Sequence, residues 1–244
     1  MLSARSNSLF GIINGLDYDE YNPRKDPDIV YNYGVNDVLE GKRKNKMALQ
    51  AELGLPIDGE KVMIGMVSRL VDQKGLDIIA EAMDELTSLD MQFVIVGTGD
   101  KKYEELLRYY AGRNPEKISA NIMFSNERAH RVYAAADLFL MPSVFEPCGL
   151  GQLIALSYGA IPIVRETGGL KDTIKSYNEF NGEGNGFSFY APHSGDMVFT
   201  IKRAMGFFSN KTLWKKLCIR AMNEDFSWTE SAKKYEKIYR DLKG

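Results

Sequence analysis

What most constrains the fold is an alternation of short apolar runs with amphipathic stretches, clearest between residues 137 and 172. Asp137–Met141 (DLFLM) is an apolar run of strand length. A turn, PSVFEPCGLG, follows it; Gln152–Ser157 is then apolar at helical spacing, and Ile161–Val164 reads as the next strand. Strand, turn, helix, strand is the repeating unit of a parallel α/β sheet. The unit recurs along the chain. Lys61–Val67 (KVMIGMV) and Met91–Val96 (MQFVIV) are buried-type strands, Asn121–Phe124 is a shorter one, and Phe187–Tyr190 is the last. Gly75–Leu86 places Leu76, Ile79, Met83 and Leu86 on one helical face. Further helices are predicted over Lys42–Leu53, Lys101–Arg113, Asn126–Ala136, from Leu170 onward, and near Gly195–Phe208, Lys211–Ala221 and Thr229–Leu242. The expected architecture is one doubly wound parallel α/β sheet, Rossmann-like, of about six strands.

Composition narrows the function classes. The 244 residues are 44% hydrophobic and 26% charged, which suits a globular protein with a substantial core. A net charge of -2 gives no electrostatic case for nucleic acid or an anionic membrane. No apolar run approaches the roughly 20 residues of a membrane span. Cys148 and Cys218 are the only cysteines, too few for a disulfide scaffold or a four-cysteine zinc site, and they fit free thiols in a cytoplasmic protein.

The first 35 or so residues do not read as a domain. Phe10–Ile13 is expected as a short strand closed by Asn14-Gly15, and Asp17–Asp28, with Pro23 and Pro27, as an extended surface segment. Two Asp-x-Asp triplets lie there, Asp17/Asp19 and Asp26/Asp28. The motif is common by chance and these copies sit in a connector, so no metal site is expected. The basic run Gly41–Lys46 (GKRKNK) is expected to be a solvated helix face.

Parallel sheets bind ligands in the crevice at the carboxyl ends of their strands. In the turn after residues 137–141 that crevice receives Glu146, Cys148, Gly149, Leu150 and Gly151. The first N–H groups of the following helix have no intrahelical partner and can hold an anion. Glu146 disfavours phosphate but can accept hydrogen bonds from hydroxyls. The combination suits a phosphorylated sugar; the other reading is an ordinary turn with a solvated Glu. Arg69 and Lys74 follow the strand at 61–67. They suit a diphosphate, Arg through its planar fork and Lys as a point charge, or else are surface cations. Gly97-Thr98-Gly99 follows the next strand, but Lys102 stands where a dinucleotide fingerprint needs its third glycine. No NAD site and no other cofactor is expected. Phe124 ends its strand and is either core or ligand-facing, and His130 is expected to be structural. Trp228 reads as a packing residue.

At this point the chain resembles a known family. FEPCGLGQLIALSYGAIPIVRETGGLKDT is similar to the donor-site signature of bacterial, plant and archaeal glycogen and starch synthases. SRLVDQKGLD, NGLDYDEYNPRKDP and FSWTESAKKYEKIYRDL resemble other segments of the same family. Many retaining glycosyltransferases carry a second Glu where this chain has Ile154; these synthases often lack it too. The resemblance runs from Gly11 to Leu242 and covers the carboxy-terminal, donor-binding half of a two-domain GT-B glycosyltransferase. It implies that residues 1–35 are the connector from an amino-terminal domain and 36–244 the nucleotide-sugar-binding domain. It implies a donor, ADP-glucose or UDP-glucose, an α-1,4-glucan acceptor held with the amino-terminal domain, and little activity of this half alone. Arg69 and Lys74 would then hold the diphosphate and act with Glu146 in catalysis. Glu146, Cys148, Gly149, Leu150 and Gly151 would meet sugar and phosphate, and Phe124 the base. Other expectations left open are the donor domain of a sucrose- or trehalose-phosphate-type transferase and a nucleotide-sugar-binding module without transfer activity.

Overall fold

A computed structural model describes residues 8–243. Its centre is a six-stranded sheet: β1 (Val62–Val67), β2 (Met91–Val96), β3 (Ile118–Asn121), β4 (Leu138–Met141), β5 (Ile161–Arg165) and β6 (Phe187–Phe189). Every neighbouring pair is parallel, in the order β3-β2-β1-β4-β5-β6. Nine helices flank it among the described residues: α1 (Val38–Leu53), α2 (Leu76–Ser88), α3 (Lys101–Arg113), α4 (Asn126–Ala135), α5 (Gly151–Ser157), α6 (Gly168–Thr173), α7 (Ser194–Phe208), α8 (Lys211–Met222) and α9 (Trp228–Lys243). None is long and apolar enough to cross a membrane.

β1 and β4 are apolar throughout, and β2 but for the buried Gln92, because helices cover both faces of the sheet. Alternate side chains therefore feed two cores. Val62, Ile64 and Met66 of β1 and Phe93 and Ile95 of β2 join the larger core, with Leu76, Ile79, Met83 and Leu86 of α2. Met63 of β1 and Val94 and Val96 of β2 face the other way, onto Leu49 of α1 and Val132 and Ala135 of α4.

The structure departs from the sequence expectations in four places. Residues 10–13 form no strand; Leu16 instead bridges to Ser227, its N–H bonding Phe226 O at 2.7 Å. The segment 17–28 is a series of turns, and Asp26 within it is buried. The strand expected at 121–124 lies at Ile118–Asn121, leaving Phe124 outside the sheet. The basic run is only partly solvated: Arg43 is exposed, but Lys42 and Lys46 are 3% and 1% exposed. They lie on the stripe of α1 (Val38, Lys42, Asn45, Lys46, Leu49) that faces the protein. Each ammonium there finds acceptors. Lys42 Nζ donates to Tyr133, Ala134 and Tyr158 carbonyls, each at 3.1 Å. Burial pushes its pKa down to about 8. Lys46 Nζ pairs with Asp137 at 2.6 Å and donates to Gly59 O and Lys61 O.

Candidate functional site

In this sheet β1 has β2 on one side and β4 on the other, so the winding reverses between β1 and β4. Loops leaving neighbouring strands at such a reversal diverge and leave a crevice. The β1 loop carries Arg69 and, at the end of a one-turn 3-10 helix, Lys74. The β4 loop carries Glu146 to Leu150 and runs into α5. Residues 72 positions apart thus meet: Lys74 Nζ forms an ion pair with Glu146 Oε2, the two side chains 17% and 9% exposed. Ser143 Oγ lies 3.4 Å from the same oxygen. Arg69 is exposed, and no hydrogen bond or ion pair holds its guanidinium among the described residues. It lines a cleft of about 190 Å³ with Gly97, Thr98 and Phe124. Phe124 is 89% exposed, because the chain has already left the sheet at Asn121, and its ring is not core.

The two loops are fastened to each other. Val144 N–H donates to Gln73 O at 2.9 Å and Gln73 Nε2 to Phe145 O at 3.1 Å. Gly75, at φ 75°, comes so close to this loop that a Cβ would sit 2.3 Å from Pro142 O. A side chain there would force the loops apart. From the β5 side, Arg165 Nε donates to Ser143 O at 2.9 Å and its Nη2 to Val144 O. From α6, Gly169 N–H donates to Glu146 O at 3.1 Å. Glu146 is therefore a carboxylate on a backbone held at several points.

Beyond Glu146 the loop turns at Gly149, whose φ of 72° favours glycine. A Cβ there would meet Gln152 Oε1 at 2.4 Å. Gln152, wholly buried, bonds Cys148 O at 3.1 Å, Gly149 O at 3.0 Å and Thr173 Oγ1 at 3.2 Å through Nε2. Cys148 is half-buried, Leu150 is 44% exposed, and no side chain caps α5 at Gly151. Of the expected site residues, Lys74 and Glu146 meet between the two loops, with Cys148 to Gly151 following on the β4 loop, while Arg69 and Phe124 line the cleft beside Gly97 and Thr98. Sequence reasoning missed the bracing residues Gln73, Ser143, Gln152 and Arg165. Arg165, the last residue of a strand whose neighbour ends at the same crevice, was the one with a positional signal.

Of the Asp-x-Asp acids, Asp26 sits apart from this crevice. Its Oδ2 faces His130 Nδ1 at 2.8 Å and accepts from Tyr158 OH, and its Oδ1 accepts Asp28 N–H at 2.8 Å. Asp26, Asp28 and His130 are the one group among the described residues with metal-ligand spacing. The atoms of Asp26 are already engaged in protein hydrogen bonds that tie residues 17–33 to α4 and α5. Burial raises the Asp26 pKa, but the bonds from His130, Tyr158 and Asp28 outweigh it and the net shift is downward. The hydrogen bond to Asp26 raises His130. His130 thus joins α4 to the segment 17–33 through a buried hydrogen bond.

Residues 52–205 match the model of the family described as glycosyl transferases group 1. The chain is 52% identical to a glycogen synthase of Lachnospira eligens over 99% of its own length and 51% of the relative's. It is 53% identical to one of Clostridium perfringens, over 99% and 50%. It spans about half the length of the curated relatives it matches. Among solved structures, the catalytic domain of starch synthase IV from Arabidopsis thaliana, bound to ADP and acarbose, superposes with a TM-score of 0.88 at 34% identity. That match covers 98% of this chain and 50% of the other. Anabaena HepE in complex with UDP shares the fold, with a TM-score of 0.67 at 17% identity over 94% of this chain and 57% of that one. With the parallel sheet and the crevice between β1 and β4 in place, the match over residues 52–205 means that this chain belongs to the group 1 glycosyl transferases.

Proposed function

We propose that this chain is the donor-binding half of a cytoplasmic, two-domain retaining glucosyltransferase of glycogen biosynthesis, which elongates α-1,4-glucan from ADP-glucose or UDP-glucose. The observation that carries the reading is the meeting of Lys74 and the nearly buried Glu146 between β1 and β4, with the exposed Arg69 on the same β1 loop. The names of its relatives, glycogen synthases, and the ADP on the starch synthase domain support it. Residues 1–35 are the connector to the other domain, and residues 36–244 the donor domain.

The chemistry follows from where charge develops. Breaking the bond between glucose and diphosphate leaves positive character on the sugar and negative charge on the leaving group. Arg69 and Lys74, with the N–H groups of Leu150 and Gly151, stabilise that negative charge. Two cations need no divalent ion to offset it. Glu146 accepts hydrogen bonds from glucose hydroxyls, beside the Cys148–Gly149 backbone, and the exposed Phe124 ring packs on the base. The other domain positions the glucan and closes the crevice to water, so this half alone transfers glucose slowly.

Calorimetry on the chain with ADP, UDP, ADP-glucose and UDP-glucose tests this. A hydrogen bond to a charged group contributes about 1.5–3 kcal/mol, so Arg69→Ala and Lys74→Ala should each weaken diphosphate binding roughly ten- to hundredfold. Unchanged affinity in both folded variants would remove these residues from the site.

A further inference from the structure

The two cations of the β1 loop are not equivalent. Arg69 is exposed with its guanidinium unengaged, whereas Lys74 is committed to Glu146. We infer that the Lys74–Glu146 pair is a specificity switch: a bare nucleoside diphosphate must take Lys74 from Glu146, and only a sugar-bearing nucleotide compensates the carboxylate it strands. This rests on the donor-site reading above.

The geometry confines the exchange to side chains. The hydrogen bonds between Gln73 and residues 144 and 145 hold the two backbones together, so Lys74 leaves by rotating its four-carbon stem. Glu146, 7% exposed, then keeps one side-chain hydrogen bond to its carboxylate among the described residues, from Ser143 Oγ at 3.4 Å. A carboxylate with so little water and no cation is costly. With glucose attached to the nucleotide, sugar hydroxyls donate to Glu146 in place of Lys74, and both groups of the pair stay satisfied. After transfer the diphosphate remains without hydroxyls, and Glu146 again competes for Lys74. The pair thereby favours the loaded nucleotide on entry and weakens the hold on the spent one.

The test is calorimetry on the wild-type chain and on Glu146→Gln, Glu146→Asp, Lys74→Ala and the Lys74→Ala/Glu146→Gln double variant, with ADP, UDP and their glucose derivatives. Glu146→Gln, which frees Lys74, should bind the bare diphosphate about three- to tenfold tighter and the glucose derivative no tighter. Glu146→Asp keeps the charge but withdraws it from Lys74, and should also gain diphosphate affinity. In the Lys74→Ala background the Gln substitution should change diphosphate affinity less than about twofold. Unchanged or weaker diphosphate binding in both Glu146 variants overturns the inference. So does an equal gain in the Lys74→Ala background, which would be simple charge repulsion. Failure of the donor-site reading looks different: no nucleotide binds, or Lys74→Ala leaves diphosphate affinity unchanged.

Discussion

Lys46→Met tests the least expected feature of the fold. Lys46 is 1% exposed, and its ammonium has three acceptors: Asp137 Oδ2 at 2.6 Å, Lys61 O at 2.9 Å and Gly59 O at 3.1 Å. Methionine nearly preserves the volume, so no large cavity term enters. What is lost is the charge. Asp137, 4% exposed, keeps the Met63 N–H at 2.8 Å but loses the cation paired with it, and two carbonyls lose a donor. Removing one partner of a buried ion pair costs about 3–5 kcal/mol. With a urea m-value of about 3 kcal/mol/M for a chain of this size, a loss of about 4 kcal/mol lowers the unfolding midpoint by about 1.3 M. Urea titration followed by fluorescence reads this directly, since Trp214, 1% exposed, lines the same pocket as Lys46 and Asp137. The double variant Lys46→Met/Asp137→Asn should recover at least half of the loss, because an uncharged amide can still accept from Met63 N–H. A Lys46→Met midpoint within about 0.3 M of wild type, roughly 1 kcal/mol, would refute the argument that this ion pair is buried and fully engaged.

Two further outcomes follow from other parts of the structure. The Asp26–His130 contact makes stability pH-dependent: His130 contributes fully below its ordinary value of 6.5 and loses its contribution as pH rises through its raised folded pKa. Asp26 contributes above 3.8 and loses its contribution as pH falls through its lowered folded pKa. Asp26→Asn should therefore show its largest stability deficit between about pH 4 and 6.5, shrinking in alkali; thermal melts showing a flat deficit would contradict it. Nucleotide binding should survive excess EDTA, since Arg69 and Lys74 supply the positive charge; an obligatory Mg²⁺ or Mn²⁺ in the same titration would require another anion site.

The local signals in this chain were reliable wherever one side chain's neighbours in sequence decide its state. Apolar runs at residues 62–67 and 91–96 are strands because a sheet covered on both faces favours apolar side chains, and the pattern can be read without knowing the neighbours. The loops after β1 and β4 were legible as candidate crevice residues for the same reason, since strand-end position is local. That Lys74 meets Glu146 was not, because it depends on β1 lying next to β4, across 72 residues of sequence. The buried positions of Lys42 and Lys46 differ from the solvated face expected, since most of their acceptors, Tyr133, Ala134, Tyr158 and Asp137, come from residues about 90 or more positions further along the chain. Asp26 was likewise read as surface because its partner His130 is 104 residues away. A charged side chain can be buried only where distant segments supply its counter-charge and hydrogen bonds, and that supply exists only once the chain has folded. Sequence alone determined the parallel α/β class and the positions of the candidate loops; the tertiary structure decided which charges face water, which hold the connector down, and which face each other across the crevice.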